Sequence, residues 1–393
     1  MKPHKYVIVG GGMTAAAAIG GIREIDADGS IAVICAEMHP PYDRPPLSKA
    51  LWSGQKTEEA VSRDAGGPGV AIHLGRRAVA LDAANKTVTD DAGNVYAYDK
   101  LLLATGGAPR RLPFADDGTI YYRTLDDYRQ LRRLADRDAG FAVIGGGFIG
   151  SEIAAALAMN GKRVTMVFPE EGIGARVYPK GLSSFLNGYF RDKSVTVLPA
   201  QSVTGLRRDG TRVLLGTSGA GEVAADAVVA GLGILPAVEL AQAAGLAVDN
   251  GIVVDEQLRT SHPDIHAAGD VANFYNPALD RRMRVEHEDN ANTMGRTAGR
   301  NMAGRAEPYH HLPYFYSDLF DLGYEAVGEL DARLDMVEDW KEPFRKGVVY
   351  YLREGRVRGV LLWNTWGQLE TASAMIAAKA SHSPGELAGA ISD

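Results

Sequence analysis

The sequence predicts an α/β protein with two similar βαβ units, followed by a C-terminal α+β region that contains an antiparallel sheet. Two segments, YVIVGGGMTAAAA at residues 6–18 and FAVIGGGFIGSEIAAA at 141–156, repeat one order of features: an apolar run, a glycine cluster and an alanine-rich stretch. A third observation concerns DMVEDW, FRKGVVYYL and RVRGVLLWN, which alternate apolar and polar residues as antiparallel strands do. A closing helix is expected at residues 368–379.

Length and composition limit the class of protein. A chain of 393 residues is long enough for two or three domains. The formal net charge of −7 makes nucleic acid a poor partner, because phosphate binding normally requires a basic surface. One cysteine excludes both a disulfide framework and a cysteine-rich metal site, so no metal is expected. Glycine is in excess, at 46 residues, which indicates segments that need an unhindered backbone.

The repeated units have the features of dinucleotide-binding domains of the Rossmann type. Gly10 permits a tight turn after the first strand, Gly12 permits close approach of a pyrophosphate, and the following helix presents its N-terminal N–H groups. In each copy a second strand leads to an acid, Glu37 or Glu170, about 25 residues after the first glycine, near the spacing expected for a ribose-binding carboxylate. Two such sites favour electron transfer between a flavin and a nicotinamide dinucleotide. A single site with one degenerate, structural copy is the alternative.

The N-terminus has no pattern of a secretory signal, because the first residues run directly into an apolar strand. The longest apolar stretch, residues 141–159, contains several glycines and Glu152, so we interpret it as strand, turn and helix and expect no membrane span. We expect a cytoplasmic protein.

Further motifs carry a family resemblance. They are LLLATGGAPR at 101–110, AVVAGLGILP at 227–236, IHAAGDVANF at 265–274, RPPLSK at 44–49, VFPEEG at 167–172, RVEHEDNA at 284–291, YSDLFDLGYEAVGE at 316–329 and GVLLWN at 359–364. With these motifs the chain resembles the FAD-dependent pyridine nucleotide-disulphide oxidoreductase superfamily. Within it the chain is similar to the ferredoxin-reductase-like branch, and most of all to the apoptosis-inducing-factor group and its bacterial relatives. The redox C-x4-C motif of the disulphide reductases is absent.

The resemblance implies two Rossmann-like domains, one for FAD and one for NAD, and a set of contacts for each cofactor. The implied FAD contacts are Gly10, Gly11, Gly12, Met13, Thr14, Glu37, Arg44, Lys49, the backbone of Ala78, Arg123, Asp270 and His287. The implied NAD contacts are Gly146, Gly147, Phe148, Ile149, Glu170, Arg176, Gly233, Glu286, Tyr316 and Glu325.

Three residues are implied at the centre of the chemistry. Lys49 and Glu152 are expected to form an ion pair beside the isoalloxazine ring, where they position the ring rather than abstract a proton. His287 is expected near the start of a helix whose N-terminus points at the flavin N1 and stabilises negative charge there.

The order of the motifs implies four segments. Residues 1–112 begin the FAD-binding domain, 113–235 form the NADH-binding domain, 236–306 complete the FAD-binding domain, and 307–393 form the C-terminal α+β domain. The chain departs from the apoptosis-inducing-factor pattern in three places. Tyr316 stands where that group has tryptophan, Glu288 stands where it has a second histidine, and its long C-terminal insertion is missing.

The resemblance implies an FAD-dependent NADH oxidoreductase. Hydride passes from NADH to flavin N5, and the electrons then leave for an acceptor without a redox-active cysteine pair. A small iron–sulfur electron carrier or a quinone would suit as acceptor. Two alternatives remain open: a redox-sensing or scaffolding flavoprotein with slow NADH oxidation, and a ferredoxin or rubredoxin reductase of an oxygenase chain. Monomer, homodimer and redox-dependent assembly all remain open.

Three smaller expectations follow. Glu170 would repel the 2′-phosphate of NADPH, so NADH is the expected coenzyme. Cys35, in a predicted buried strand, is expected to be an inert core thiol. The basic residues at 281–284 are either a solvated turn or a docking patch for an acidic electron carrier.

Overall fold

The fold is that of a computed structural model that describes residues 2–114, 118–137 and 139–391. The chain divides into two compact units. Unit 1 comprises Met1–Asp43, Glu58–Ala108 and Leu235–Pro313, and unit 2 comprises Arg44–Thr57, Pro109–Ile234 and Tyr314–Asp393. The predicted boundaries of the four sequence segments stay a prediction.

The strands are numbered in chain order across both units. They are β1 (Lys2–Val9), β2 (Ile31–Ile34), β3 (Val70–His73), β4 (Ala78–Asp82), β5 (Thr87–Asp90), β6 (Val95–Leu103), β7 (Gly107–Pro109), β8 (Ile120–Tyr121), β9 (Gly140–Ile144), β10 (Arg163–Val167), β11 (Val195–Leu198), β12 (Val203–Asp209), β13 (Arg212–Thr217), β14 (Glu222–Ala225), β15 (Ala227–Ala230), β16 (Ile234–Pro236), β17 (Ile252–Val253), β18 (Ile265–Ala267), β19 (Ala272–Asn276), β20 (Arg281–Met283), β21 (Tyr314–Leu319), β22 (Leu322–Gly328), β23 (Asp335–Glu342), β24 (Lys346–Arg353) and β25 (Arg356–Trp363).

The helices are numbered in the same way. They are α1 (Met13–Arg23), α2 (Leu125–Ala135), α3 (Phe148–Met159), α4 (Lys180–Asp192), α5 (Glu239–Ala243), α6 (Glu288–Met302), α7 (Leu369–Ala378) and α8 (Pro384–Leu387), with short 3-10 helices at Pro45–Ser48, Glu59–Val61 and Gly269–Val271.

Unit 1 is built on a mixed sheet in the order β3-β2-β1-β6-β5-β4, with β18 also paired to β6. The strands β3, β2, β1, β6 and β18 run parallel, whereas β5 is antiparallel to its neighbour β6, and β4 is antiparallel to β5. Continuous apolar runs such as IAVI in β2 are buried along their whole length, as in parallel sheets covered on both faces. The carboxyl ends of β1, β2, β6 and β18 therefore meet at one edge of this sheet.

Helices α1 and α6 of unit 1 pack with their backbones in close approach. A Cβ added to Gly295 or Gly299 of α6 would lie 2.5 Å from the Thr14 carbonyl oxygen or 2.2 Å from the Ala18 carbonyl oxygen of α1. Larger residues at these two positions would force the helices apart. The packing fixes α6, and with it the segment before α6, relative to the turn between β1 and α1.

Unit 2 contains a five-stranded parallel sheet in the order β11-β10-β9-β15-β8 and a three-stranded antiparallel sheet of β12, β13 and β14. A second five-stranded sheet, β21-β22-β25-β24-β23, is antiparallel throughout. The parallel βαβ strands in the sheets of both units and the C-terminal antiparallel sheet confirm the predicted fold class. Helix α7 lies where the closing helix was expected.

The apolar stretch at 141–159 forms β9, a glycine turn and α3, as predicted. Among the described residues, no helix is long and apolar enough to cross a membrane.

Candidate functional site

Both repeated segments form the same tight turn between a strand and a helix. Gly10 follows β1 with φ of +119°, and Gly145 follows β9 with φ of +112°. A Cβ at Gly10 would lie 2.1 Å from the Ala104 carbonyl oxygen, and one at Gly145 would lie 2.4 Å from the Gly231 carbonyl oxygen. Backbone conformation and space therefore both require glycine, and each turn is held against the end of the neighbouring parallel strand.

The third glycine of each turn, Gly12 or Gly147, has free space around its Cα. Gly12 and Gly147 are the N-cap residues of α1 and α3, and neither helix start has a side-chain cap. A Cβ at either position would meet no atom within 4 Å. The N-terminal N–H groups of both helices thus face space that a pyrophosphate can enter, so the two turns fit the phosphates of two dinucleotides.

The predicted ribose-binding acids follow the second strand of each unit. In unit 1 the Tyr42 hydroxyl donates a 2.7 Å hydrogen bond to Glu37 Oε2. In unit 2 the guanidinium of Arg176 lies 2.6 Å from Glu170 Oε1. Glu170 is partly buried and Arg176 is mostly exposed, so this ion pair lies at the surface of unit 2.

The other predicted unit 1 residues gather beyond the carboxyl ends of the parallel strands. The Gly75 N–H donates a 3.0 Å bond to the Glu37 carbonyl oxygen, which brings the start of β4 at Ala78 beside the end of β2. Gly269, which precedes Asp270, lies so close to Thr14 that an added Cβ would be 2.3 Å from its hydroxyl oxygen. This edge of an open parallel sheet is where α/β proteins bind their ligands.

The segment before α6 belongs to the same part of unit 1. His287 is the N-cap residue of α6, at the helix start that the sequence predicted. The Arg284 side chain is nine-tenths buried, and its Nη1 lies 2.6 Å from Glu286 Oε1 and donates a 3.1 Å bond to the Asp270 carbonyl oxygen. Arg282 donates to the carbonyl oxygens of Val254 and Asn273. Arg282 and Arg284 of the basic cluster therefore make contacts within unit 1. These contacts favour a structural turn over a docking patch.

Unit 2 contains the predicted ion pair. Lys49 Nζ lies 2.8 Å from Glu152 Oε1, and the two side chains are 15% and 5% exposed. Two serine hydroxyls also donate to this carboxylate, Ser317 to Oε1 at 2.5 Å and Ser48 to Oε2 at 2.5 Å. The Lys49 ammonium also lies 5.4 Å from the ring centroid of Tyr316, a cation–π distance.

The phenols near Glu152 are uncharged. Burial raises the pKa of Tyr178 and of Tyr324 well above the ordinary range, and the negative charge of Glu152 raises both further. The two tyrosines near Glu152 therefore carry no charge at physiological pH.

The remaining predicted residues of unit 2 lie in three places. Arg44 Nη1 donates a 2.8 Å bond to the Arg123 carbonyl oxygen, just before α2. The Gly233 carbonyl oxygen accepts from the Arg110 N–H at 2.9 Å. Tyr316 and Glu325 are direct partners across β21 and β22, so their side chains share one face of the antiparallel sheet.

The predicted contacts do not divide between the units by cofactor. Arg44, Lys49 and Arg123, predicted for FAD, belong to unit 2, whereas the other predicted FAD residues belong to unit 1. Glu286, predicted for NAD, belongs to unit 1. Within the described part of the chain, no three His, Cys, Asp or Glu side chains are grouped closely enough to hold a metal ion.

Sequence reasoning missed Ser48, Ser317 and the internal role of Arg284. Ser48 precedes Lys49 and Ser317 follows Tyr316, so adjacency to predicted site residues was the available signal. Arg284 stands at the end of a basic run, and charge pattern alone does not distinguish a buried arginine from exposed ones.

Two family models match the chain. A family model described as pyridine nucleotide-disulphide oxidoreductase matches residues 4–295. A second, described as the C-terminal region of mitochondrion-associated apoptosis-inducing factor, matches residues 298–342 and 335–378.

Individual relatives cover nearly the whole chain. It is 36% identical to the ferredoxin–NAD(+) reductase component of the anthranilate 1,2-dioxygenase system of Burkholderia cepacia, over 99% of this chain and 98% of that one. It is 31% identical to putative apoptosis-inducing factor 1 of Drosophila melanogaster, over 95% of this chain but only 63% of that protein.

The structural comparison gives the same family. A crystal structure of the covalent putidaredoxin reductase–putidaredoxin complex matches with a TM-score of 0.89 and 31% identity, over 97% of this chain and 95% of the other. The chain therefore belongs to the pyridine nucleotide-disulphide oxidoreductase family, the NAD(P)H-dependent flavin oxidoreductases that use FAD and NAD(H).

Proposed function

We propose that this chain oxidises NADH and delivers the electrons, by way of bound FAD, to a small iron–sulfur electron carrier. One observation carries the proposal: the sequence has a single cysteine, and Cys35 is buried. No cysteine pair is available to take electrons from the cofactor, so they must leave for the acceptor directly. When bound, FAD supplies the exchange between a two-electron hydride donor and one-electron acceptors.

The residues implied by the family resemblance would hold the cofactors. The turn after β1, with Gly10, Gly11, Gly12, Met13 and Thr14, would bind the FAD pyrophosphate, and Glu37 its ribose. Arg44, Ala78, Arg123 and Asp270 would complete the FAD contacts. The turn after β9, with Gly146, Gly147, Phe148 and Ile149, would bind the NADH pyrophosphate. Glu170 would hold its ribose, and Arg176, Gly233, Glu286, Tyr316 and Glu325 would complete the NADH contacts.

Three side chains would act at the flavin. Lys49 and Glu152 would orient the ring with a fixed ion pair and set the field around it. His287 is the N-cap residue of α6, so the positive end of the α6 dipole would favour negative charge on the ring when the flavin is reduced.

Similarity to a ferredoxin reductase favours a small iron–sulfur carrier as the acceptor. The Burkholderia relative is a ferredoxin–NAD(+) reductase component, and 98% of its length is matched. The structure matched at a TM-score of 0.89 is a reductase bound to putidaredoxin. A quinone acceptor is the competing outcome of the test.

The test is an anaerobic NADH titration of the purified FAD-loaded protein, followed by steady-state turnover with a ferredoxin, a rubredoxin, a soluble quinone and oxygen. We expect one equivalent of NADH to bleach the flavin, and turnover to be fastest with an iron–sulfur protein. Faster turnover with the quinone than with either carrier protein would overturn the choice of acceptor. A protein that takes up no flavin on reconstitution would overturn the whole proposal.

A redox sensor of the apoptosis-inducing-factor type is the second candidate. It is favoured by the match of residues 298–378 to the C-terminal region of that group. A sensor would turn over slowly with every acceptor, persist as a reduced complex with NAD⁺, and change its oligomeric state on reduction. Light scattering of the oxidised and NADH-reduced protein separates the candidates, because a reductase needs no such change.

A further inference from the structure

The Glu152 carboxylate is held by more groups than the ion pair alone requires. Oε1 receives the Lys49 ammonium at 2.8 Å and the Ser317 hydroxyl at 2.5 Å, and Oε2 receives the Ser48 hydroxyl at 2.5 Å. Glu152 is 5% exposed, Ser48 is 6% exposed and Ser317 is 2% exposed, so water contributes little to this network. Both oxygens of a buried anion are thus satisfied by protein donors.

Each serine has one hydroxyl proton to donate. In Ser317 that proton goes to Glu152, and in Ser48 the bond to Glu152 is much shorter than the 3.4 Å contact with the Pro45 carbonyl oxygen. A hydroxyl that donates to a carboxylate makes a charge-assisted bond, roughly twice as strong as a neutral one. Both serines therefore favour one orientation of the Glu152 carboxylate.

The two serine donors and the Glu152 acceptor come from separate elements of unit 2. Ser48 ends a 3-10 helix, Glu152 lies on α3, and Ser317 lies on β21. A lysine ammonium on its flexible stem cannot by itself fix a carboxylate, because it is a point charge that can approach from many directions. Two short hydroxyl bonds from different elements supply the missing directions.

We infer that Ser48 and Ser317 are positioning residues, which hold the Glu152 carboxylate and, through it, the Lys49 ammonium in a single geometry. The inference rests on the proposed function, in which this ion pair orients the flavin ring. The serines need not touch the cofactor. The two serines restrict the Glu152 carboxylate to one orientation, and the Lys49 ammonium then has a single position in which to pair with it.

The experiment is a double-mutant cycle between each serine and Glu152 in the FAD-loaded enzyme. Ser48→Ala, Ser317→Ala and Glu152→Gln are made singly, and each serine variant is combined with Glu152→Gln. Two quantities are measured: the midpoint potential of the bound flavin and the rate of flavin reduction by NADH in stopped flow. We expect each alanine variant to slow reduction about tenfold, the effect of one charge-assisted hydrogen bond, and to move the potential measurably.

In the Glu152→Gln background the same serine substitutions should change the rate by less than about twofold, since the anion they position is gone. Ser48→Thr and Ser317→Thr keep the hydroxyl and should retain most of the wild-type rate of flavin reduction. If an alanine variant does not fold, the cysteine variant replaces the hydroxyl with a slightly larger thiol, a weak donor, and should show the same loss. Ser183→Ala is the matched control, because this serine of unit 2 is 3% exposed and donates to the Ile173 carbonyl oxygen instead.

Two results would overturn the inference and leave the proposed function standing. One is a serine effect of equal size with and without Glu152, which would make the serines independent of the carboxylate. The other is an unchanged rate and potential in both alanine variants while Glu152→Gln changes them. If Glu152→Gln itself leaves both quantities unchanged, the proposed role of the ion pair fails, and this inference fails with it.

Discussion

The Lys49 ammonium and the Glu152 carboxylate form a 2.8 Å ion pair in which both side chains are largely withdrawn from water. Burying two charges costs several kcal/mol per ion before their attraction is counted, so such a pair is a poor device for stability. The ion pair is better explained by a role in fixing the positions of the two charges. The pair also makes the two residues unequal to mutation, because removing one leaves the other buried and unpaired.

Lys49→Met should destabilise the protein by about 3–5 kcal/mol, because the buried Glu152 carboxylate keeps its two serine hydrogen bonds but loses the opposite charge beside it. Thermal unfolding of the FAD-free protein is the measurement. The double variant Lys49→Met with Glu152→Gln should recover a large part of the loss, since neither charge remains. A double variant no more stable than Lys49→Met alone would contradict this account. In the FAD-loaded form both variants should reduce flavin slowly, whatever their stability.

The two kinds of glycine in the turn after β1 should respond differently to alanine. Gly10→Ala should prevent folding, because the Cβ would lie 2.1 Å from the Ala104 carbonyl oxygen at a φ of +119°. Gly12→Ala should fold with the thermal midpoint of the wild-type apoprotein, because its Cβ meets no atom within 4 Å. We expect Gly12→Ala to bind FAD at least about tenfold more weakly, as the Cβ would project toward the pyrophosphate.

Gly147→Ala is the matched control in the second repeat. It should leave FAD affinity unchanged and weaken NADH binding instead. FAD affinity is followed by flavin fluorescence, and NADH affinity by titration of the oxidised enzyme. Equal loss of FAD affinity in both variants would contradict the assignment of one cofactor to each turn.

The local features of the fold were predictable because they depend on short-range constraints. The turns at Gly10 and Gly145 need positive φ, and β2 needs a buried apolar run, and both requirements are visible within a few residues. The strands of the C-terminal sheet form where alternation predicted them, but β24 and β25 are buried along most of their length instead of on alternate residues. The Lys49–Glu152 pair was accessible only through family resemblance, since nothing local links a loop lysine to a helical glutamate.

What stayed hidden depends on contacts between distant segments. A serine carries no pattern that predicts whether its hydroxyl faces water or a buried carboxylate, so Ser48 and Ser317 look like ordinary serines in the sequence. Arg284 belongs to a basic run, yet its guanidinium turns inward because Glu286 and the Asp270 carbonyl oxygen lie there. Burial of this kind is set by the packing of α6 and its preceding segment, which no single segment encodes.

Glu170→Gln should relax the preference for NADH. The carboxylate would meet the 2′-phosphate of NADPH as a like charge, and like charges in contact cost several kcal/mol. Without that charge, Arg176 loses the partner it holds at 2.6 Å and becomes available to the phosphate. We expect kcat/KM for NADPH relative to NADH to rise by about tenfold or more, where a tenfold change corresponds to about 1.4 kcal/mol. Wild-type enzyme with equal efficiency toward both coenzymes would contradict the role of Glu170.

Arg284→Gln should raise KM for NADH more than it lowers kcat. The substitution removes the positive charge that Glu286 contacts and the donor to the Asp270 carbonyl oxygen, so a predicted NAD contact and a predicted FAD contact both lose their support. Arg281→Gln, at the start of β20, is the matched control for loss of one positive charge and should leave both constants nearly unchanged. A docking patch would be supported by the opposite result, in which Arg281→Gln impairs reduction of a ferredoxin and Arg284→Gln leaves kcat and KM for NADH unchanged.

Acid should destabilise the protein partly through His266 of unit 1. Its side chain is 2% exposed, Nδ1 has no hydrogen-bond partner among the described residues, and burial together with the Lys100 charge lowers the pKa to about 4. The unfolded chain, with an ordinary histidine pKa near 6.5, binds the proton more readily, so stability is present above pH 6.5 and is lost as the pH falls toward 4. The loss should reach about 3 kcal/mol. His266→Leu should flatten the pH dependence of the thermal midpoint across this window, and an unchanged slope would show that other groups set it.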